Sequence, residues 1–314
     1  MREECDAAGG AREQKHPRAR LFPIMKGVSM SAKAPAWVVP VMRAGYAARG
    51  AVYVIVGGLA LSAAIYGGQA QGTTDALASL RGEPWGAALL WAIAIGLMAY
   101  MVWRLIDAAM DLECEGTDAK GLAARTGQAI TGLIHGAIGV SVAATALGGG
   151  SGSDGTQSAT QKLMSMPWGP YLVMAAWIVT VGAGIYYVHK GIAEKYKADI
   201  RVTDLAQKLE PVLKAGLVAE GIVIGIIGAL IFYAGLTHNP GEAGGVGTAL
   251  TQIRSAPFGG IFMGIIAAGL VAFGIENLVE AAYRIVPRHS GQDVMTLARR
   301  AKLQAEGKLR DAAA

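Results

Sequence analysis

The chain has 314 residues, of which 53% are hydrophobic and only 16% charged, with a formal net charge of +5 and a pI near 9.2. The apolar residues form long blocks rather than periodic stripes, a composition that excludes an ordinary water-soluble domain and is typical of membrane proteins. Lysine and arginine concentrate in the segments between these blocks, so the positive charge indicates no nucleic-acid partner.

One pattern occurs three times along the chain. Its first half begins at Arg43, Arg125 and Lys214, and each copy continues with two glycines at the same intervals. Its second half opens with Pro-Trp-Gly or Pro-Phe-Gly and continues into an apolar block. Self-similarity at this length predicts three helical hairpins. The recurring glycines, predicted to pack helix against helix, are Gly50, Gly57, Gly132, Gly139, Gly221 and Gly228.

Six apolar blocks approach the roughly 20 residues that a helix needs to cross a bilayer. In lipid, backbone groups must be bonded within their own segment, so the blocks are predicted to be helices. We therefore predict an all-α integral membrane bundle of six transmembrane helices, built from three parallel helical-hairpin repeats with pseudo-three-fold symmetry. The predicted spans are 50–67, 86–106, 132–148, 167–188, 216–236 and 258–279.

The repeats divide the chain into five parts. Residues 1–35 are predicted to be a disordered basic tail, 36–113, 114–196 and 197–287 to be the three repeats, and 288–314 to be a basic C-terminal tail. The loops predicted to face outward carry only the cations Arg81, Lys162 and Arg254. The positive-inside rule then places both termini in the cytoplasm. For the C-terminal tail, contact with anionic lipid headgroups and simple solvation both stay open.

Charged and polar side chains within the predicted spans form the candidate site. Arg49 and Arg104 of the first repeat are expected near the cytoplasmic boundary, facing Glu220 and Glu276 of the third, because an unpaired charge in lipid costs several kcal/mol. Snorkelling of the arginines to the headgroups is the alternative. The full candidate network is Arg49, Tyr53, Arg104, Thr131, His135, Glu220, Glu276 and Asn277.

Residue types that carry catalysis or bind metals are sparse. His135 is the one histidine inside a predicted span, and a lone imidazole indicates a core side chain or a proton relay, with no metal or haem site. The sequence has no zinc-protease, serine-elbow or paired-cysteine motif. We expect no cofactor, no metal site and no enzymatic activity.

The segment from Arg43 to Tyr53, with its two weaker copies, resembles the bacterial membrane proteins grouped as domain of unknown function 1206. The resemblance covers about residues 40–285 and implies three two-helix repeats in a bacterial inner membrane. The later copies have Thr131 and Glu220 where the first has Arg49, so a role of Arg49 does not extend to them. The resemblance implies no activity.

Two functions are compatible with these features. The first is a non-enzymatic membrane scaffold or accessory protein, whose known partner is the bilayer and whose protein partner the sequence does not indicate. The alternative is a carrier for a small solute or ion along the pseudo-three-fold axis, gated by the cytoplasmic charges. The predicted outer half has scattered hydroxyls and no continuous polar track, which favours the scaffold. A water-accessible axial cavity at Tyr53 and His135 would favour transport.

Overall fold

The computed structural model describes residues 35–68, 70–149, 155–286, 296–300 and 302–304. Within these ranges the chain is helical, and two isolated β-bridges are its only extended pairings. The predicted N-terminal tail lies outside the described residues except for its last position, and so does most of the predicted C-terminal tail.

The described residues include ten α-helices between positions 38 and 283, and six of them are long and apolar enough to cross a bilayer: α1, α3, α4, α6, α8 and α10. The predicted all-α class and the six membrane helices are therefore confirmed. The bounds are α1 Val38–Tyr66, α2 Thr73–Ser79, α3 Gly86–Met110, α4 Ala119–Ala146, α5 Gly155–Met164, α6 Gly169–Ile192, α7 Asp204–Lys208, α8 Glu210–Thr237, α9 Val246–Ser255 and α10 Gly259–Tyr283.

Helices α1, α4 and α8 begin well before the predicted spans. The stretch around Arg43 lies before the predicted span 50–67, yet it forms the first turns of α1. A hydropathy block marks only the apolar part of a helix, so the predicted span is shorter than the helix. At about 1.5 Å per residue, α1 is about 43 Å long and Arg49 lies about 16 Å from its start. Arg49 is therefore deeper in the bundle than the sequence indicated.

The membrane helices pack side by side in the order α4, α3, α1, α10, α8, α6. The most extensive contacts join different repeats, in the pairs α1 with α10, α6 with α8, and α3 with α4. The first and third repeats form closed hairpins, whereas α4 and α6 of the second repeat, both fully described, do not pack along each other. The two helices of the second repeat pack instead on α3 and α8. The pseudo-three-fold axis stays a prediction.

The recurring glycines lie where helices of different repeats approach most closely. A Cβ atom added to Gly57 would lie 2.8 Å from the backbone nitrogen of Val271, and one added to Gly221 would lie 2.7 Å from the carbonyl oxygen of Gly184. In lipid, helix association depends on such close packing because burying apolar side chains gives no gain there. All six predicted glycines, Gly50, Gly57, Gly132, Gly139, Gly221 and Gly228, have a neighbouring helix within 3.2 Å of this Cβ position.

The bundle has two different ends. The short helices α2, α5 and α9 lie in the connections at one end, which we call the loop-helix end. The terminal end carries the start of α1, the end of α10 and the connections 111–118 and 193–209. There the backbone N–H of Leu297 donates to the carbonyl of Ile200 at 3.1 Å, and Leu297 is buried. The described part of the C-terminal tail therefore packs on the protein.

Candidate functional site

Arg49 lies at the point where the membrane helices converge, and only 4% of it is exposed. Its Nη1 donates to the hydroxyl of Tyr100 on α3 at 3.2 Å, and its Nη2 donates to the hydroxyl of Tyr187 on α6 at 3.1 Å. The guanidinium carbon also lies 4.9 Å from the ring centroid of Phe273 and 5.5 Å from that of Tyr53. These distances are those of cation–π contacts, so an aromatic cage holds the cation.

The fifth membrane helix, α8, reaches this cage through Glu220. The hydroxyl of Tyr53 donates to Oε1 of Glu220 at 2.5 Å, and Glu220 is buried. Among the described residues, no carboxylate lies within 4.0 Å of the Arg49 guanidinium. The predicted opposition of Arg49 and Glu220 is therefore indirect, with the Tyr53 ring between the two charges.

His135 adds α4 to the cage. Its ring lies 4.9 Å from that of Tyr100, and its Nδ1 is 2.8 Å from the carbonyl oxygen of Thr131. The Thr131 hydroxyl donates to the carbonyl of Gly127, so the side chain of Thr131 serves its own helix. All six membrane helices thus contribute a side chain around Arg49. Tyr187 was not in the predicted network, although it lies as far after Pro167 as Arg104 lies after Pro84 and Asn277 after Pro257.

Arg104 has other partners than the predicted ones. Its Nη1 lies 3.1 Å from Oδ2 of Asp107 and 3.5 Å from Oε1 of Glu113, and its Nη2 donates to the Tyr46 hydroxyl at 2.7 Å. The predicted pairing of Arg104 with Glu220 or Glu276 was wrong. The connection after α3 folds back under the helix end and brings Glu113 close to Arg104. Glu113 lies outside the predicted spans, so it was not among the predicted partners.

Glu276 and Asn277 are buried in α10 beside the cage. The Asn277 side-chain amide donates to the carbonyl of Phe273 at 2.8 Å, within its own helix. Glu276 makes no ion pair within 4.0 Å to any residue that the structure describes. Neither residue joins the two repeats in the way that the sequence suggested.

Charged side chains from all three repeats form an ion-pair layer at the terminal end. Arg284 is its centre: its Nη2 lies 2.6 Å from Oε1 of Glu113, and its Nη1 lies 2.6 Å from Oε1 of Glu280. Lys190 of the second repeat lies 3.5 Å from the same Glu280 oxygen. We define the layer as Arg104, Asp107, Glu113, Lys190, Asp199, Glu280 and Arg284.

The electrostatics of the layer differ between its carboxylates, and burial raises the pKa of Asp199 above its ordinary value. Burial alone would raise the pKa of Glu113, but the guanidinium groups of Arg284 and Arg104 outweigh it and lower that pKa below its ordinary value. Glu113 and Arg284 lie outside the predicted spans, so sequence reasoning missed them. The spacing of Glu280 and Arg284, one helical turn apart, was the available signal.

A cavity of about 30 Å³ lies on the other side of Arg49, towards the loop-helix end. By the usual measure of about 10–15 Å³ per water, it has room for two to three water molecules. Arg49 lines this cavity, and its Nε atom is buried without a hydrogen-bond partner. The lining residues are Arg49, Val52, Tyr53, Val56, Thr73, Leu97, His135, Ile138 and Val246.

The family model described as Domain of Unknown Function (DUF1206) matches residues 44–111, 126–194 and 215–284. The chain belongs to this family. The DUF1206 matches coincide with the three helix pairs, which supports the division into repeats. A protein from Bacillus subtilis (strain 168), named "Uncharacterized protein YxxB", is 26% identical over 252 residues, which cover 79% of this chain and 92% of the relative. No solved structure matches the chain.

Proposed function

We propose that this membrane protein is a carrier that moves a small solute across the bacterial cytoplasmic membrane. The cavity between the loop-helix end and Arg49 is the observation that supports this proposal. An ionisable side chain deep in a membrane bundle is costly and commonly marks a substrate pathway. Val52, Leu97 and Ile138, from three different helices, line this cavity.

The ion-pair layer supports a gated carrier rather than an open channel. Below Arg49, Tyr46 and Tyr100 are fully buried, and the layer of paired charges closes the terminal end. A solute in the cavity therefore reaches Arg49 from one side only. Alternating access requires such a state, followed by a second state in which the ion pairs part and the cavity closes.

The side of the membrane follows from the basic segments. Because lysines and arginines flank the terminal end, we infer that this end faces the cytoplasm and that the cavity faces outward. The transport step needs no covalent chemistry, in line with a protein that is a carrier and not an enzyme. The scaffold predicted from the sequence remains the competing function, and a closed, unreactive interior would favour it.

Accessibility of introduced cysteines tests the carrier without knowledge of its substrate. In a Cys5→Ser, Cys114→Ser background, Val52→Cys lines the cavity, whereas Leu90→Cys is fully buried in the helix core away from it. In proteoliposomes, we expect a membrane-impermeant thiol reagent to modify the cysteine at position 52 from the loop-helix side and to spare the one at position 90. Equal resistance of both positions contradicts the proposed pathway.

Flux measurements with named probes complete this test. Proteoliposomes are assayed for uptake of radiolabelled glycerol, acetate and rubidium, before and after modification of Val52→Cys. We expect protein-dependent uptake of at least one probe and its loss after modification. No uptake of any probe, together with an unreactive cysteine at position 52, favours the scaffold.

A further inference from the structure

The guanidinium of Arg49 has donors that the protein does not satisfy. Arginine carries five N–H groups. Two hydrogen bonds lead to the hydroxyls of Tyr100 and Tyr187, while the Nε atom is buried with no acceptor. Both partners are neutral hydroxyls, whereas a buried cation is normally paired with an anion. The guanidinium therefore lacks a directly bonded anion, and its Nε–H lacks an acceptor.

The nearest protein carboxylate does not fill this role. Glu220 is bound by the hydroxyl of Tyr53 and is not among the residues that line the cavity. The cavity side of Arg49 thus carries positive charge with no facing anion in the part of the chain that the structure describes. The opposite wall includes Val246, the first residue of α9, where the helix dipole also has its positive end.

The rest of the cavity is aliphatic. Val52, Val56, Leu97, Ile138 and Val246 supply most of its wall. A volume of about 30 Å³ accommodates only a few heavy atoms. A fully hydrated or multiply charged anion does not suit such a wall, because its remaining charge would lose water without gaining partners. An anion with a small apolar body suits both parts of the site.

We propose that Arg49 binds the carboxylate of a small monocarboxylate, from formate to acetate in size, with Nε–H as one donor and the apolar body against the aliphatic wall. Arginine is well suited to this group because its planar N–H fork matches a carboxylate. The proposal deepens the proposed function, since it names the class of solute. The binding proposal rests on the proposed function in one respect, because it takes the cavity as the solute site. Binding at that site does not require transport.

Equilibrium binding to the full chain in lipid nanodiscs tests the site, with radiolabelled acetate as the probe. Acetamide has the same size and shape but no charge, and serves as the competitor that isolates the charge. We expect saturable acetate binding that formate displaces and acetamide does not. Displacement by acetamide as effective as that by formate overturns the proposal, and so does saturable binding of chloride with none of acetate.

Two pairs of variants locate the binding. Ile138→Phe fills the cavity and keeps Arg49 itself unchanged, and Ile134→Phe adds the same bulk one turn away on α4 at a position that is 53% exposed. Arg49→Lys keeps the charge and removes the fork, and Arg43→Lys is its control at an exposed position of α1. We expect acetate binding to weaken about tenfold or more in Ile138→Phe and Arg49→Lys only, as expected for loss of a hydrogen bond to a charged group.

Unchanged acetate affinity in Ile138→Phe overturns the assignment. If Arg49→Lys does not fold, the acetate affinity of Ile138→Phe decides the test. The site and the carrier fail in different ways. Acetate binding without uptake in proteoliposomes leaves the anion site standing and contradicts transport. Uptake of glycerol with no acetate binding leaves the carrier standing and contradicts the anion site.

Discussion

The two ends of the bundle differ in what closes them. At the terminal end, Arg104 and Arg284 join carboxylates from the first and third repeats, and Lys190 adds the second. Towards the loop-helix end, aliphatic side chains surround a cavity, and contacts between helices depend on glycine. Arg49 lies at the boundary between these two regions.

This difference shows that three similar repeats can build one polar and one apolar half. Charges meet where the helix ends and connections supply partners from several repeats, such as Glu113 and Arg284. Aliphatic residues face each other where only helix surfaces meet. The polar half can separate by breaking a few specific pairs, whereas the apolar half keeps its shape through backbone contact. A gate is therefore expected at the terminal end.

The largest expected effect comes from Arg284→Met, which removes the centre of the ion-pair layer. The buried Glu280 and the partly buried Glu113 would both lose their closest cation. Loss of one partner of a buried ion pair costs about 3–5 kcal/mol. The free energy of unfolding, measured by SDS titration of the protein in mixed micelles, checks this value. Lys195→Met, at an exposed position of the same end, is the control. Equal effects of the two substitutions would mean that the layer does not hold this end together.

Gly57→Ala tests the apolar half. The new methyl group would lie 2.8 Å from the backbone of Val271 on α10, so α1 and α10 must separate. Overpacking of this kind costs about 1–3 kcal/mol. Gly58→Ala is the matched control, because a Cβ atom there meets nothing within 4 Å. In detergent, Gly57→Ala should lower the thermal unfolding temperature more than Gly58→Ala does. A larger decrease in Gly58→Ala would contradict the described packing.

Tyr187→Phe tests the boundary between the halves. It removes the hydroxyl that accepts from Nη2 of Arg49 and leaves the ring in place. A hydrogen bond to a charged group is worth about 1.5 kcal/mol at the lower end of its range, and the partial exposure of this site favours the lower end. Tyr186→Phe is the control, since Tyr186 is 54% exposed. The free energy of unfolding in SDS should be lower for Tyr187→Phe than for Tyr186→Phe. Equal values would mean that the hydrogen bond from Arg49 to Tyr187 does not stabilise the protein.

The smallest effect is a dependence on pH that comes from Glu113. Its pKa is lowered in the folded protein, so its ion pairs stabilise the fold at pH values above the unfolded pKa of about 4.3. This contribution is lost as the pH falls through the lowered folded pKa. The difference in thermal stability between the wild type and Glu113→Gln should therefore shrink below about pH 4.3. Glu83→Gln, at an exposed position of the other end, should show no such trend.

Much of the fold could be predicted from the sequence because it depends on local composition and repetition. The apolar blocks gave the number of membrane helices, and the recurring glycines marked the helix contacts, as Gly57 and Gly221 illustrate. The open second repeat could not be predicted in this way. Whether α4 and α6 close on each other depends on their contacts with α3 and α8, which no local pattern records.

The sequence predicted which residues form the candidate site better than it predicted which of them bond to each other. Arg49, Tyr53, His135 and Glu220 do meet, because the alignment of the repeats placed them at similar depth. Their partners follow from side-chain directions and from loops that fold back, which sequence spacing does not encode. Glu113 pairs with Arg104 for this reason, although it lies beyond the end of α3.

The open side of the second repeat has a mechanical consequence. Helix α6 is the least buried of the six membrane helices, and its one extensive helix contact is with α8. There Gly184 and Gly221 bring the two backbones together. Elsewhere α6 joins the bundle through single side chains, such as Tyr187 on Arg49 and Lys190 on Glu280. The bilayer-facing gap beside α6 is thus the direction in which the bundle opens with the smallest loss of buried contact.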